Sequence, residues 1–395
     1  MAKIKKKSIL DFIITFILFF PYLQPASYCL GTTFTTFLGL WLRGTWFVAI
    51  IILLKNRSLS ITSICFILFQ FCFLWATILN TNYGEISSAL YIFCNNFSIV
   101  ILSEYFIKKD SKSFIKNLLI IYIPLILLNF ISMYMYYPLG MYTDILGDHN
   151  YYFLEHDNGS FFYTLAVIYL SFCYNISNRK NLFLPYFLLI VSFLTYYYIF
   201  SATAFICLGI IILLLILYRS KLLNKLISSN LFYIIFIISL LVLLSFCQPN
   251  SKINVFANIL KNLGKDATLS GRTSIWLSAI NFIKYNLFFG YGQEYLNIRL
   301  LKFGVSHVHN ILLQIVYNGG LISLVLYILY FKKINKNINK CKNFKLVYVS
   351  KIFIYMYFVA SLFDYYNTKY IINLIFIVST FLSFIDGGSK NERLN

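Results

Sequence analysis

The sequence predicts an all-α, polytopic membrane protein of about twelve transmembrane helices. Three observations carry that prediction. Of 395 residues, 60% are hydrophobic and only 12% are charged, with a mean hydropathy of +0.76. A soluble domain is nearer to ~45–50% apolar and ~25% charged. A spanning helix needs roughly 20 mostly apolar residues, so about a dozen spans would use nearly the whole apolar content. Finally, Lys and Arg cluster in short segments after alternate apolar runs, as the positive-inside rule requires. Soluble enzymes, disordered chains and nucleic-acid-binding domains are excluded on these grounds. The net charge of +20 is accounted for mainly by topology signals.

The first apolar run, about 9–29, follows a basic N-terminus and lacks a small-residue cleavage site, so it reads as an uncleaved first span. Further runs lie near 33–54, 59–79, 86–107, 115–135, 161–178, 182–200, 202–218, 231–248, 309–331, 346–363 and 370–386. The chain is thus expected to be one multi-pass domain of the cell membrane over residues 1–395, with both termini cytoplasmic. The spans at 200 and 202 meet with almost no connection. The eight cysteines show no CxxC pairing and mostly lie in apolar runs, where cysteine behaves as a small hydrophobe.

Two outer loops exceed mere connectors. One spans about 134–160 and the other about 249–308. Eight of the 13 acidic residues and all four histidines, His149, His156, His307 and His309, are expected outside. The second loop carries seven cations, Lys252, Lys261, Lys265, Arg272, Lys284, Arg299 and Lys302, against Asp266 and Glu294. That excess lies on the wrong side for the topology rule and points to an anionic ligand such as a lipid phosphate or pyrophosphate.

Within this loop, Trp276, Ile280, Ile283 and Leu287 recur at helical spacing and predict a short amphipathic helix. Ser270 or Thr273 would cap it. Arg272 would then sit at the positive end of the helix dipole, an anion site with a two-pronged guanidinium. Gly290-Tyr291-Gly292 reads as a sharp turn. His309 stands at the mouth of a span, and Asn310, Gln314 and Asn318 follow at helical spacing as a polar stripe facing the bundle interior. Gly319 and Gly320 permit close helix packing. His307 and His309 would diverge on a helix, which argues against a metal pair. Arg43 lies about ten residues from either end of its run, and an intramembrane arginine is a functional candidate by default.

The set Gly271-Arg272, Trp276, Gly290-Tyr291-Gly292, His309-Asn310 and Gly320 resembles the C-terminal signature of O-antigen ligases and Wzy-type polysaccharide polymerases. The ligase pattern H-[NSQ]-x9-G-x-x-[GTY] fits at His309, Asn310 and Gly320, and departs at Ser323. The specific residues lie within about 270–323. Many members carry an arginine after a serine at the outer end of a middle span; here the stretch is Ser201-Ala202-Thr203, without arginine. That departure leans away from a strict ligase, and Arg43 is a candidate for the missing charge.

The resemblance implies a GT-C-like glycosyltransferase acting on undecaprenyl-pyrophosphate-linked oligosaccharide at the outer membrane face, with no cofactor and no metal. Under it, Arg272, helped by Lys265 or Arg299, would hold the departing pyrophosphate. His309 would be the base, and Asn310 and Gln314 would orient it or the acceptor. Tyr142, Asp144, Asp148 and Asp157 would hold sugars, with Asp148, Glu155 or Asp157 as alternative bases. The expected function is a repeat-unit polymerase for capsular, exopolysaccharide or O-antigen chains. The alternatives are a ligase-like glycan transferase or a lipid-linked oligosaccharide flippase. Expected partners are the lipid-linked substrate, the bilayer, a flippase and a chain-length regulator, with no nucleic acid.

Overall fold

The computed structural model describes residues 2–23, 25, 27–143, 150–220, 224, 227, 238–239, 272–363 and 369–387. The helices are α1 (Ala2–Phe19), α2 (Ser27–Asn56), α3 (Ile61–Leu79), α4 (Ile86–Tyr136), α5 (Asp157–Ser177), α6 (Phe183–Tyr198) and α7 (Ala202–Ile216). After the next undescribed stretch come α8 (Arg272–Tyr285), α9 (Leu296–Phe303), α10 (Ile311–Ile338), α11 (Phe344–Ser361), α12 (Asn373–Thr380) and α13 (Leu382–Ile385). One two-stranded hairpin pairs β1 (Tyr142–Thr143) with β2 (Asn150–Tyr151), Tyr142 opposite Tyr151.

Among the described residues, seven helices are long and apolar enough to cross a bilayer, and three shorter apolar helices accompany them. Hydrocarbon offers no water to exposed peptide groups, so spanning segments satisfy them within a helix. This is a multi-pass, all-α membrane architecture. The expected run at 231–248 falls almost wholly outside the described residues. The 51-residue α4 is two of the expected spans joined end to end, broken at Asp110 (φ −160°, ψ 89°). The Asp110 carboxylate accepts from the Ser113 N–H at 3.1 Å and so restarts the second half. The first helix is shorter than the sequence suggests: α1 stops at Phe19, where Pro21 enters a 3-10 turn. Proline has no N–H to continue the ladder. Helices α6 and α7 do meet with almost no connection, through Phe200 at φ 55°.

Alternating helix directions gather Lys55, Arg57, Lys108, Lys109, Arg179, Lys180, Arg219 and Lys345 at one end of the bundle. We call this the basic end. Asp11 of α1 reaches Lys109 there, and Asp386 accepts from the Asn343 side chain there. The β-hairpin, α8 and α9 lie at the opposite end.

Two apolar cores form among the described residues. The large one fills the helix bundle, where α3 packs most extensively against α10. Inside it runs a chain of side-chain amides: Asn373 donates to Asn96 at 2.8 Å, and Asn96 donates to Gln70 at 3.3 Å. The small core joins Ile275, Trp276, Ala279 and Ile283 of α8 to Phe303 of α9, Val308, and Leu313 and Tyr317 of α10. It fastens the short helices onto the bundle.

Candidate active site

The site is organised by a break in α10. Gly320 leaves helical geometry at φ 66°, ψ −172°. An extended loop, 286–293, runs against this break and replaces the lost ladder. The Tyr317 carbonyl accepts from the Tyr291 N–H at 2.7 Å, and the Asn318 carbonyl from Gly292 N–H at 2.8 Å. The Leu321 N–H, which would bond Tyr317 in an unbroken helix, donates instead to the Leu287 carbonyl at 2.9 Å. Irregular backbone is tolerated at membrane depth where protein rewires it in this way. A β-carbon on Gly320 would lie 1.9 Å from the Phe288 carbonyl oxygen, so only glycine fits. Gly320 thus admits a loop backbone, while Gly319 permits the close helix packing its small-residue pattern suggests, since a β-carbon there would lie 2.7 Å from the Phe73 ring of α3.

The same loop is pinned to the end of α3. Gln293 N–H donates to the Thr77 hydroxyl at 2.8 Å, and Glu85 N–H to the Gln293 carbonyl at 2.7 Å. Glu294 follows, fully buried. It accepts from Lys302 Nζ at 2.6 Å and from the Tyr317 hydroxyl. The Lys302 ammonium also lies 4.2 Å from the centroid of the Tyr291 ring. No motif pointed to Glu294, Lys302 or Tyr317, because their partnership depends on the loop reaching the α10 break. The visible trace of it is the recurrence of glycine at 290, 292, 319 and 320.

Against this frame, three side chains hold the segment Ser306–His309. Arg299 Nη1 donates to the Ser306 carbonyl at 2.6 Å. Trp276 Nε1 donates to the Val308 carbonyl at 3.1 Å. Gln314 Oε1 accepts from the Val308 N–H at 2.8 Å, while its Nε2 donates to Asn318 Oδ1 at 2.8 Å. The Val308 peptide groups are gripped on both sides. The next residue, His309, is held at φ 53°, a conformation that costs a non-glycine residue energy. The two imidazoles do not diverge: His307 and His309 precede α10 rather than lying on it, and their ring centroids are 4.0 Å apart. No cluster of three or more His, Cys, Asp or Glu side chains forms among the described residues.

Asn310 caps α10, its Oδ1 accepting from the Leu312 and Leu313 N–H groups at 3.0 and 3.2 Å. Its Nδ2 donates to the Leu362 carbonyl at 3.1 Å. Asn310, Gln314 and Asn318 are buried, as the stripe predicted, but their amides are engaged with protein groups. Arg272 begins α8. Its Nε is buried and has no hydrogen-bond partner among the described residues. Arg272 and Trp276 share a helix face at i, i+4, so the guanidinium lies one turn from the Trp276–Val308 contact. Arg299 Nε is also buried without a partner among the described residues. Burial lowers the Arg299 guanidinium from its ordinary value, and Glu85 and Glu294 oppose that shift.

The remaining candidates are dispersed. Lys265 and Asp148 lie outside the described residues, as does Asp144. Asp157 opens α5, which His156 caps by accepting from Gly159 N–H at 3.2 Å. Tyr142 is exposed on β1, its ring 6.3 Å from Tyr151. Arg43 is exposed in the middle of α2, its Cζ 6.0 Å from the Tyr91 ring. Tyr91 belongs to α4, not to the α8–α10 segment. Ser201, where the resemblance has no arginine, donates its hydroxyl to Asn158 at 2.8 Å. Lys369, which no motif singled out, pairs with Glu155.

Residues 186–328 match the Wzy_C family model, O-antigen ligase. This is consistent with the O-antigen ligase and Wzy-type resemblance in the sequence. Comparison with curated proteins and with solved structures gave no match. The Wzy_C segment runs from α6 into α10 and contains Arg272, Trp276, the 286–293 loop, His309 and the Gly320 break. Arg43, Tyr142 and Asp157 lie outside it. The Wzy_C match supports an O-antigen-ligase-like glycan transferase in a membrane.

Proposed function

We propose that the chain is a polymerase that joins lipid-pyrophosphate-linked oligosaccharide repeat units at the outer face of the cell membrane. One observation carries this reading: within the Wzy_C segment, a guanidinium with a buried, unpartnered Nε lies at a helix start, one turn from the clamp that holds His309. An arginine so placed is suited to a pyrophosphate, because guanidinium and helix N-terminus both favour anions.

In the proposed step, an acceptor sugar hydroxyl attacks C1 of the glycan on the donor lipid. The new C1–O bond forms as the bond from C1 to the pyrophosphate oxygen breaks. The hydroxyl proton passes to the His309 imidazole, and the electron pair leaves on the pyrophosphate, whose charge Arg272 stabilises. Gln314 and Trp276 keep the imidazole in place by holding the peptide before it. No metal enters the step. The basic end then faces the cytoplasm, in keeping with the positive-inside rule, and the α8–α9 end faces the substrate. A flippase supplying units and a chain-length regulator are the partners that such a reaction needs.

The family description favours a second reading, a ligase that moves a finished glycan to another acceptor. The test is reconstitution in liposomes with undecaprenyl-pyrophosphate-linked repeat unit as the sole glycan. A ladder of lengthened lipid-linked product, lost in His309→Ala, is the expected result. Transfer only when a distinct acceptor is added would establish the ligase. Movement of the unit across the bilayer without bond formation would overturn both.

A further inference from the structure

Two cavities of similar size open at the basic end, and they differ in charge. The first, about 270 Å³, lies where α2 and the first half of α4 end and α3 begins. Its lysines are answered: Lys108 pairs with Glu104 at 2.6 Å and Lys109 with Asp11 at 3.2 Å. The second, about 250 Å³, lies where α5 and α7 end and α6 and α11 begin. Its walls are aromatic and aliphatic, with Tyr186, Tyr218 and Tyr348 prominent, and its charged lining residues are Arg219 and Lys345. No carboxylate lines it. Neither cation has an ion pair among the described residues.

Two helix C-termini and two N-termini converge on this second cavity, so their dipoles largely cancel. The side-chain cations therefore set its sign. Beside it, α6 and the end of α7 present exposed apolar side chains, including Phe183, Phe187 and Ile216. A ligand that satisfies both features carries a negative head and an apolar tail.

We propose that the α5–α6–α7–α11 cavity binds an anionic phospholipid, its phosphate between Arg219 and Lys345 and its acyl chain along α6 and α7. The aromatic walls distinguish this occupant from a free phosphate, which would gain nothing from them. Juxtamembrane cations each add about fivefold to the attraction of an anionic lipid surface. This assignment is independent of the glycan chemistry at the opposite end.

The test uses the purified full chain in a neutral detergent, titrated with short-chain phosphatidylglycerol and followed by native mass spectrometry. Expected is saturable binding that weakens roughly 30-fold in Arg219→Gln/Lys345→Gln. The Lys108→Gln/Lys109→Gln pair should leave it unchanged. Both rim cations are exposed, so the first pair is not expected to unfold the chain, and an unshifted melting curve checks this. Three results would each overturn the proposal: undiminished binding in Arg219→Gln/Lys345→Gln, equal binding of phosphatidylcholine, or displacement by inorganic phosphate. A melting curve lowered in the double variant sends the test to Arg219→Lys/Lys345→Arg, which keeps both charges. Binding retained there supports the proposal and binding lost overturns it.

Discussion

Helix α3 ends near a buried glutamate at each extremity, and the two are held for different purposes. Glu104, at the basic end, accepts from Ser60 N–H at 2.8 Å, Ser60 Oγ at 2.9 Å, the Ser63 hydroxyl and Lys108 at 2.6 Å. It closes the start of α3, where a carboxylate is favoured by the helix dipole. Its partners are neighbours along helices that pack anyway. Glu294, at the opposite end, takes Lys302 from α9 and Tyr317 from α10, and so ties a loop to a broken helix. Around Glu104 both carboxylate oxygens are met by hydroxyl, peptide and ammonium donors, although the Ser103 hydroxyl beside it is buried without a partner among the described residues. Around Glu294 lie the Gly320 break, the strained His309, and two arginine Nε groups without partners among the described residues. The unmet guanidinium donors lie at this end, where a polar substrate would meet them; positive φ occurs at both ends, at Arg57 and Arg179 as well as at His309.

Substitutions sharpen this contrast. The largest expected effect is at Arg272. Arg272→Ala should lower glycan transfer by about 10²–10³-fold, the usual cost of removing a preorganised charge-stabilising donor. Its melting temperature should stay within a degree or two, since the buried Nε that the substitution removes has no hydrogen-bond partner among the described residues. A variant equally inactive but destabilised would make Arg272 structural. Next comes Glu294→Gln. Removing one charge of a buried pair costs on the order of 3–5 kcal/mol. It should therefore lower both thermal stability and activity per folded molecule, as the loop releases the α10 break. Glu104→Gln should cost a comparable amount of stability yet leave the activity of the folded fraction unchanged. Loss of activity at both glutamates in equal measure would erase the distinction drawn here. The smallest effect belongs to Lys108→Ala. Its side chain is 35% exposed, so the pair with Glu104 is partly screened and should be worth no more than about 1 kcal/mol. Thermal unfolding in one detergent measures all three stability changes.

Much of the fold was legible because hydrocarbon imposes a one-dimensional code. Apolar runs of sufficient length must be helices, and the lysines between them mark one side. The hairpin inside α4 could be read from the basic stretch at 108–116 alone. The start of the first span could be read, but not its early end, which Pro21 decided. At the candidate site, the helix that carries Arg272 and Trp276 and the place of His309 just ahead of a long helix were legible from spacing and motif. Gln314 was singled out as polar and inward-facing, yet its hydrogen bond to the Val308 peptide was invisible. His307 and His309 approach each other where helical spacing predicts divergence, because they lie four and two residues ahead of Ile311, outside the helix whose period the spacing assumes. Glu294 was counted only as one acid in a basic loop.

The sequence by itself determined the helical, multi-pass class, the clustering of basic residues at one end, the amphipathic helix after Arg272 and the His309–Asn310 mouth. Composition and local periodicity suffice for these, since each follows from how a short segment partitions between lipid and water. Only the tertiary structure decided that α10 is broken at Gly320 and mended by the 286–293 loop, and that Glu294 anchors that loop through Lys302 and Tyr317. It likewise decided that Val308 is clamped on both sides and that one basic-end cavity is neutralised while its counterpart keeps two cations. These are pairings between residues far apart along the chain. Their energies depend on which backbone groups a neighbouring segment leaves unmet, a quantity that no single segment contains.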